Sequence, residues 1–425
     1  MRTSLVRVGI AVGATALAAS MLTGVISMTQ AGASGESGLT ASAPGITKTT
    51  IKIGIVSDLT GSNASTFGTT ADAMVARFKE INAAGGVDGR QITWAIADTG
   101  STPTGAETAV KDLVENQGVF AIAELSSSFS PAAPYLQQAG IPVTGIPLDG
   151  PEWFEQPNTN MFSTLGNGTP TGGPVYSDGG FYKALGSKKI SYVEANASAA
   201  ITEGNGVYLS IKRDGLQACD KTIVPIGGVN FTAFALSFKA DGCDTAVSAN
   251  VLSSSLAMAT ALHQAGLTKT KIVFEAGPSQ QIFQNAQDEA AANGAYFLGG
   301  ELSSATYSNA ASIAFLKGLK KYDPSYTGGL PDLGQADGWP VANLMVEGLM
   351  VAGKNPTRHS FITNLRKVTN WTDSGLSAGP INFVHFGQDP PQQCFTYVQF
   401  VNNKYVPFPK SGKAFCGTII PGSGS

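Results

Sequence analysis

Residues 51–90 read IKIGIVSDLTGSNASTFGTTADAMVARFKEINAAGGVDGR, and this stretch decides the fold. It begins by alternating isoleucine with lysine or glycine, which predicts a β-strand. Apolar side chains then recur at three- and four-residue spacing from position 71 to 81, which predicts a helix that ends at Gly85-Gly86. A second strand over residues 92–98 completes a β-α-β unit with parallel strands. Its binding crevice should lie at the strand carboxyl ends, here residues 57–68.

The alternation of strands and helices continues along the chain and predicts two lobes. Strand and helix patterns alternate up to residue 146, and a second series of similar size runs from residue 190 to 298. Three helical patterns then follow without strands between them, so we expect them to return to the first lobe and cover its sheet. The predicted fold class is α/β, with two similar doubly wound lobes joined by a three-segment hinge. The predicted boundaries are residues 48–166 and 300–388 for lobe 1, and 167–299 and 389–425 for lobe 2.

The first 33 residues have the features of a secretory signal peptide. Arg2 and Arg7 precede an apolar run from residue 8 to 26, and Ala31-Gly32-Ala33 offers the small residues of a cleavage site. The alternative is an uncleaved membrane anchor, because a run of about 19 residues nearly spans a bilayer. Residues 34–47 are rich in Gly, Ser and Ala and predict a flexible linker. We therefore expect an exported protein, either periplasmic or extracellular in the cell envelope.

The charge balance argues against a nucleic-acid partner. The chain of 425 residues holds 27 Lys plus Arg against 30 Asp plus Glu, and 43% of its residues are hydrophobic. Such a composition gives no basic footprint for nucleic acid and no polybasic membrane patch. We expect a monomer whose partner is a small molecule or another protein.

All four cysteines lie in the part of the chain that is predicted to be exported. An even number of cysteines in an oxidising compartment favours disulfides. Pairing sequence neighbours, Cys219–Cys243 and Cys394–Cys416, is the simplest of the three possible connectivities. A metal site is the alternative, but no two cysteines are close and the three histidines are scattered without ligand spacing. We expect neither a metal nor a cofactor.

No sequence motif for covalent or cofactor chemistry occurs, whether P-loop, GxGxxG after a strand, GxSxG, HExxH or EF-hand loop. Ser126, Ser127 and Ser128 follow a predicted strand at residues 119–125. A hydrolase nucleophile is one interpretation, but no histidine lies nearby in sequence. We favour a binding element, because hydroxyls and free N–H groups at a strand end attract an anion such as a carboxylate. A serine that only caps the next helix is the alternative.

Other candidate ligand contacts also lie at predicted strand ends. Asp149 and Gly150 follow the next strand, where the carboxylate would accept hydrogen bonds from an amine or hydroxyl, or would cap a turn. Phe67 would cover a ligand or belong to the core. The candidates in the second half of the chain, each with a turn, cap or packing role as the alternative, are Asn196, Ser254, Glu275 and Trp339.

Three segments together resemble a known family. The first is residues 51–90, which include IGIVSDLTG, Phe67-Gly68 and EINAAGGVDGR. The second is SSSFSPAAPYLQQAGIPV, which begins at Ser126, and the third is GPINFVHFG, which begins at Gly379. Over nearly the whole mature part, the chain resembles the branched-chain amino-acid (Leu/Ile/Val) family of periplasmic solute-binding proteins of ABC transporters. The resemblance implies a type I periplasmic binding fold that closes on its ligand and delivers it to a membrane permease. It also implies that Ser126 holds a ligand carboxylate and that residues 148–150 supply further contacts.

The second lobe departs from that family. Members that bind amino acids place tyrosines near positions 196–201 and 253–255, which this chain lacks, and an acidic residue near 275–277, where Glu275 is an approximate match. The leading hypothesis is a non-enzymatic, exported protein that captures a small polar or carboxylate-bearing molecule, an amino acid or related, for ABC-transporter uptake. The alternatives are a ligand-sensing ectodomain without transport and a secreted serine hydrolase.

Overall fold

The computed structural model describes residues 38–165, 177–196, 198–299, 310–377, 380–384, 394–418 and 420. The predicted signal peptide and residues 34–37 of the predicted linker lie outside these residues. So do the three stretches in which the predicted crossings between lobes fall. Residues Leu39–Ser425 cluster as one compact unit. Within the described ranges, no helix combines the length and the apolar character needed to cross a membrane.

The described strands form two large sheets and a small two-stranded one. In chain order they are β1 (Thr50–Ser57), β2 (Gln91–Asp98), β3 (Ala121–Leu125), β4 (Val143–Gly145), β5 (Met161–Ser163), β6 (Lys189–Ala195), β7 (Gln217–Ala218), β8 (Thr222–Val224), β9 (Thr245–Ala249), β10 (Lys271–Phe274), β11 (Tyr296–Leu298), β12 (Cys394–Phe395), β13 (Tyr397–Phe400), β14 (Tyr405–Phe408) and β15 (Phe415–Cys416).

Helices connect most of these strands. In chain order they are α1 (Ala64–Phe67), α2 (Thr70–Ala83), α3 (Pro103–Lys111), α4 (Ala133–Gln138), α5 (Phe181–Ala184), α6 (Ser198–Arg213), α7 (Thr232–Asp241), α8 (Leu252–Gln264), α9 (Ala286–Ala292), α10 (Ala310–Tyr322), α11 (Leu333–Ala352) and α12 (Arg358–Leu365). Shorter helical turns at Asp112–Asn116, Ser130–Ala132, Pro151–Trp153 and Gln280–Gln284 extend several of the connections.

Lobe 1 is the five-stranded sheet with the helices packed on it. Its strands are all parallel, in the order β2-β1-β3-β4-β5. β1 is buried from Ile53 to Ser57, since helices cover both faces of the sheet. The register aligns Ser57 with Leu125, so β1 and β3 end at the same level. The loops that follow these strands therefore meet at one edge.

The helix α11 returns from the C-terminal part of the chain to cover lobe 1. It packs against α2, β3 and β4, and its Met345 shares a buried cluster with Ile55 and Phe78. Close approach of the two helices requires a glycine, because a Cβ on Gly338 would lie 2.7 Å from the Thr70 carbonyl oxygen. α3 and α4 cover the opposite face through a second apolar cluster.

Three arginines bind backbone carbonyls at the N-terminal edge of the lobe 1 sheet. Arg90 donates to carbonyls beside β1, Arg358 to carbonyls just before β3, and Arg366 to carbonyls at the start of β5. The Arg90 side chain is fully buried, with its Nε 2.8 Å from the Thr47 carbonyl oxygen. This edge of the sheet is thus closed by cations with fixed partners.

Lobe 2 is the sheet ordered β14-β13-β11-β10-β9-β6-β7, with β8 also paired to β6, and the helices around it. Its central strands are parallel, whereas β13 and β14 form an antiparallel ribbon that adds to β11. Phenylalanine and aliphatic side chains from α7, α8 and the sheet form its core. The predicted α/β fold with two doubly wound lobes is confirmed. The three-residue strand β5 was not predicted.

A disulfide joins Cys219, which follows β7, to Cys243, which precedes β9. This confirms the sequence-local pairing predicted for these two residues. Cys416 is also disulfide-bonded, and the register of β12 and β15 places Cys394 opposite Cys416. That register agrees with the second local pairing.

Candidate functional site

The carboxyl ends of the lobe 1 strands bring together loops that are distant in sequence. β1, β3 and β4 are neighbours in the sheet and end at the same edge. The loops that follow them contain Asp58, Ser126 and Asp149 respectively. This edge is where the sequence predicts the binding crevice.

The carboxylate of Asp58 is the centre of this edge. Its Oδ1 accepts hydrogen bonds from Thr99 Oγ1 and Ser126 Oγ, both at 2.5 Å. Its Oδ2 accepts from Ser127 Oγ at 3.0 Å, the Ser127 N–H at 3.1 Å and Asn63 Nδ2 at 3.2 Å. The Asp58 side chain is fully buried. Five donors from four residues thus converge on one carboxylate that belongs to the chain itself.

The serine run is occupied by these internal bonds. The Ser126 hydroxyl donates to Asp58 and accepts from the Ser128 N–H at 3.1 Å, and Ser126 is fully buried. Ser127 presents both its N–H and its hydroxyl to Asp58. The sequence predicts an anion at this strand end, and the structure places an intramolecular carboxylate there.

A second buried carboxyl group lies beneath the serine run. Glu124 of β3 is fully buried, and its Oε2 accepts the Ser126 N–H at 3.1 Å while its Oε1 accepts the Ile146 N–H at 3.2 Å. Burial, and then the negative charge of Asp149, raise the pKa of Glu124 well above its usual value. Gly145 is required here, because a Cβ on that residue would overlap the Glu124 carboxyl oxygen.

Asp149 and Glu152 form the outer part of this edge. Asp149 Oδ2 accepts the Ser130 N–H at 2.7 Å, and Glu152 Oε1 accepts the Ser130 hydroxyl at 2.5 Å. The other oxygens, Asp149 Oδ1 and Glu152 Oε2, are buried and have no hydrogen-bond partner. Burial raises the pKa of Asp149 to about 7, although the bond from Ser130 opposes that shift. A Cβ on Gly150 would overlap the Glu152 carboxylate, so a larger residue at that position would displace the Glu152 side chain.

The edge carries negative charge without a balancing cation. Among the described residues, no lysine or arginine forms an ion pair with Asp58, Glu124, Asp149 or Glu152. The described part of the chain also contains no group of three or more His, Cys, Asp or Glu side chains arranged to hold a metal ion. Chemically, this edge therefore offers hydrogen-bond acceptors.

The lobe 2 candidates follow the parallel strands of the second sheet. Asn196 is exposed after β6, and its N–H donates to the Val224 carbonyl at 2.7 Å. Glu275 is half-buried directly after β10. Ser254 is fully buried in α8 and its hydroxyl donates to the Gly228 carbonyl at 2.5 Å, so it ties that helix to the loop before α7.

The two lobes touch next to these strand ends. Gln281, in the helical turn after β10, donates from Nε2 to the Ser65 carbonyl in α1 at 2.8 Å. Nearby, Ser279 Oγ and the Gln280 N–H both donate to Asp332 Oδ1 at 3.0 Å, just before α11 begins. The loop after β10 is therefore bonded to lobe 1 at two places.

Two aromatic candidates belong to the core. Phe67 packs into the buried cluster of lobe 1 and is only 8% exposed. Trp339 lies inside α11 and packs against Phe315, with ring centroids 5.3 Å apart, and under the Arg77 guanidinium. These contacts fit the packing alternative given for Trp339, because α11 turns this side chain towards α2 and α10.

Sequence reasoning missed three residues of this edge: Asp58, Glu124 and Glu152. A usable signal existed for two of them. Asp58 directly follows the predicted first strand, and Glu124 is a lone charge inside the apolar strand VFAIAEL. A charged residue within a buried strand indicates a specific partner.

Comparisons with known proteins agree with this architecture. The structure of the fatty acid ABC transporter substrate-binding protein from Thermomonospora curvata is 19% identical, covers 91% of this chain and 96% of its own, and has a TM-score of 0.70. A solute-binding protein from R. palustris in complex with benzoate is 17% identical over 88% and 99% of the two chains, with a TM-score of 0.69. A leucine-binding protein from Thermotoga maritima is 18% identical over 87% and 99%, also with a TM-score of 0.69.

These structural matches confirm the type I periplasmic binding fold that the resemblance implies. A comparison with curated proteins finds no significant match. The family model described as periplasmic binding protein matches residues 50–405, which is most of the chain. This chain therefore belongs to the periplasmic binding protein family.

Proposed function

We propose that this chain is an exported solute-binding protein that captures one small polar molecule between its lobes and delivers it to the permease of an ABC transporter. The observation that carries the proposal is the junction of the two strand-end edges, where Gln281 of lobe 2 donates to the Ser65 carbonyl of lobe 1. Gln281 lies in the segment after β10 and Ser65 in the segment after β1, so the strand-end segments of both sheets meet at that junction. Family membership and the ABC transporter proteins among the structural neighbours support the same role.

Capture between two lobes follows from differential binding. A molecule that contacts the strand-end edges of both lobes binds the closed protein more tightly than the open one, and this difference in affinity favours closure. Its polar groups lose water on closure, so each unsatisfied group would cost about 1–3 kcal/mol. We propose that Asp149 and Gly150 on lobe 1, with Asn196 and Glu275 on lobe 2, supply partners for those groups.

The contacts of the serine run do not fit catalysis. The hydroxyls of Ser126 and Ser127 donate to the Asp58 carboxylate and not to a histidine. A serine nucleophile requires a base that takes its proton and then passes it to the leaving group. Nothing in the described site favours the hydrolase alternative.

A solute screen on the purified chain tests the proposal. We expect at least one compound from a panel of amino acids, amides, sugars and aromatic acids to raise the melting temperature, because a ligand that binds only the folded state stabilises it. Small-angle X-ray scattering with that compound should show a smaller radius of gyration. Labelling of Ser126 by a fluorophosphonate, together with ester turnover, would overturn the proposal in favour of the hydrolase.

A matched pair of glutamine variants localises the closure. Gln281→Ala removes the bond to the Ser65 carbonyl and should reduce the ligand-induced compaction. Gln287→Ala, at an exposed position in α9 of the same lobe, should leave it unchanged. Equal compaction in both variants would mean that the lobes do not close at this junction.

A further inference from the structure

The donors at the lobe 1 strand end are fully used within the chain. Thr99, Ser126, Ser127 and Asn63 together direct five hydrogen bonds to Asp58. A carboxylate has about four lone-pair sites, so both Asp58 oxygens are saturated. The hydroxyls and N–H groups that would hold a ligand anion are thus already committed.

A second anion placed here would also meet an unfavourable field. The Asp58 carboxylate is buried at this edge, and no described lysine or arginine forms an ion pair with it. Two like charges about 5 Å apart near a protein surface repel strongly enough to weaken binding on the order of 100-fold. The unpartnered oxygens Asp149 Oδ1 and Glu152 Oε2 lie at the same edge, and the carboxylate form of each side chain accepts hydrogen bonds.

We propose that Asp58 is the specificity-determining residue of the site: it supplies from within the chain the anion that the strand-end donors hold. The ligand consequently places no carboxylate at Ser126 and Ser127, and is a neutral or cationic molecule that presents amide, hydroxyl or amine donors to lobe 1. This inference rests on the proposed solute-binding function.

Acetate rescue tests the role of Asp58 without knowledge of the ligand. Asp58→Ala leaves a carboxylate-sized space lined by the four donor residues. We expect sodium acetate to raise the melting temperature of this variant by several degrees, with an effect that levels off as the acetate concentration rises. The melting temperature of the wild type should not change. Acetamide and sodium chloride at equal concentration are the solution controls. Equal responses of variant and wild type to acetate would overturn the proposal.

Asp98→Ala is the matched control variant. Asp98 also follows a strand and accepts four hydrogen bonds, from Leu59 and Thr60 among others, but it is exposed. Its removal leaves an open surface, so acetate should give no saturable stabilisation. If Asp58→Ala folds only in part, recovery of folded protein on refolding in acetate and not in acetamide supports the proposal. Equal recovery in both solutions, or in neither, overturns it.

Binding measurements with paired ligands test this inference separately from the proposed function. L-leucine with L-leucinamide, and benzoate with benzamide, are pairs that differ in the carboxylate alone. We expect wild type to respond at most to the amide member, and Asp58→Ala to gain at least tenfold in relative affinity for the carboxylate member. Wild-type binding of benzoate that Ser126→Ala abolishes would overturn the inference while leaving solute binding intact. Successful acetate rescue with no binding of any solute in the wider panel would instead contradict the proposed function.

Discussion

The two edges of the lobe 1 sheet carry opposite charges and differ in how completely those charges are satisfied. At the N-terminal edge, Arg90, Arg358 and Arg366 donate to backbone carbonyls beside the strands. At the C-terminal edge, Asp58 and Glu124 accept from hydroxyls and backbone N–H groups. The arrangement of a parallel β/α fold explains the signs, because helix C-termini expose carbonyls at one edge and helix N-termini expose N–H groups at the other.

The difference teaches which edge is structural and which is available for recognition. The arginines have fixed partners in the chain and cannot serve a ligand without unfolding that edge. The C-terminal edge keeps two buried oxygens, on Asp149 and Glu152, without any partner. Unsatisfied buried acceptors are costly in a purely structural role and therefore mark a place where a partner binds.

The largest expected effect is at the N-terminal edge. Arg90→Met should lower the free energy of unfolding by about 3–5 kcal/mol, because the fully buried guanidinium donates to the carbonyls of Thr40 and Thr47 and to the Asn355 side chain, and all of these bonds are lost. Urea denaturation measures this loss. Arg213→Met, at an exposed arginine, is the control. A loss under 1 kcal/mol would remove the contrast between the two edges.

The next effect concerns the centre of the C-terminal edge. Asp58→Asn should cost about 2–3 kcal/mol of stability, because the new amide NH₂ would face hydroxyl and amide donors where the carboxylate accepted them. Urea denaturation of this variant beside Asp98→Asn, the same change at an exposed carboxylate, measures the difference. Equal stability of both variants would show that burial of Asp58 carries no hydrogen-bond energy.

Ser126→Ala should have a smaller effect on stability and little effect on binding. The variant loses one bond to Asp58 and one from the Ser128 N–H, which predicts a loss of about 1–2 kcal/mol. Calorimetry with the solute found by screening should give a dissociation constant within about threefold of wild type, since that change is below 1 kcal/mol. Ser253→Ala, at an exposed serine, is the control. A tenfold loss of affinity with unchanged stability would assign Ser126 to the ligand.

The last expected effect is a pH dependence of stability to which the acidic edge contributes. Burial raises the pKa of Asp149 from 3.8 to about 7, so the folded protein keeps a proton that the unfolded chain has already released. The stabilisation from that proton is complete below pH 3.8 and is lost as pH rises through about 7. Asp149→Asn should flatten the decline of unfolding free energy between about pH 4 and pH 7 by up to about 1 kcal/mol per pH unit.

Urea denaturation at a series of pH values measures this slope. Asp220→Asn, at an exposed position, controls for the loss of one carboxylate. An unchanged slope in Asp149→Asn would mean that the acidic edge does not hold that proton.

The architecture was predictable because its signals are local. Apolar spacing within residues 51–98 was sufficient to predict β1, α2 and β2, since periodicity reports which faces of an element are buried. β5 has only three residues, too few for a period to be recognised. Trp339 lies within α11, and its packing depends on which helices the fold brings against that helix, which no local pattern reports.

The site was only partly predictable because its contacts depend on strand order. The serine run was recognised as an anion-binding element from its position after a strand. Its anion, Asp58, lies 68 residues earlier in the chain, and the two meet because β1 and β3 are adjacent in the sheet. Strand order is a global property, so no local pattern reports that Ser126 and Asp58 are partners.

The bond from Gln281 to the Ser65 carbonyl would lengthen the time for which a solute stays bound without changing how fast the solute binds. If the lobes close on a solute, this contact must break before they part again, although it need not form before the solute enters. It therefore adds to the barrier for dissociation and leaves the association rate to diffusion, in keeping with the rule that affinity differences lie mostly in dissociation rates. Because its acceptor is a backbone carbonyl, substitutions at Ser65 would preserve this bond, whereas Gln281→Ala would remove it.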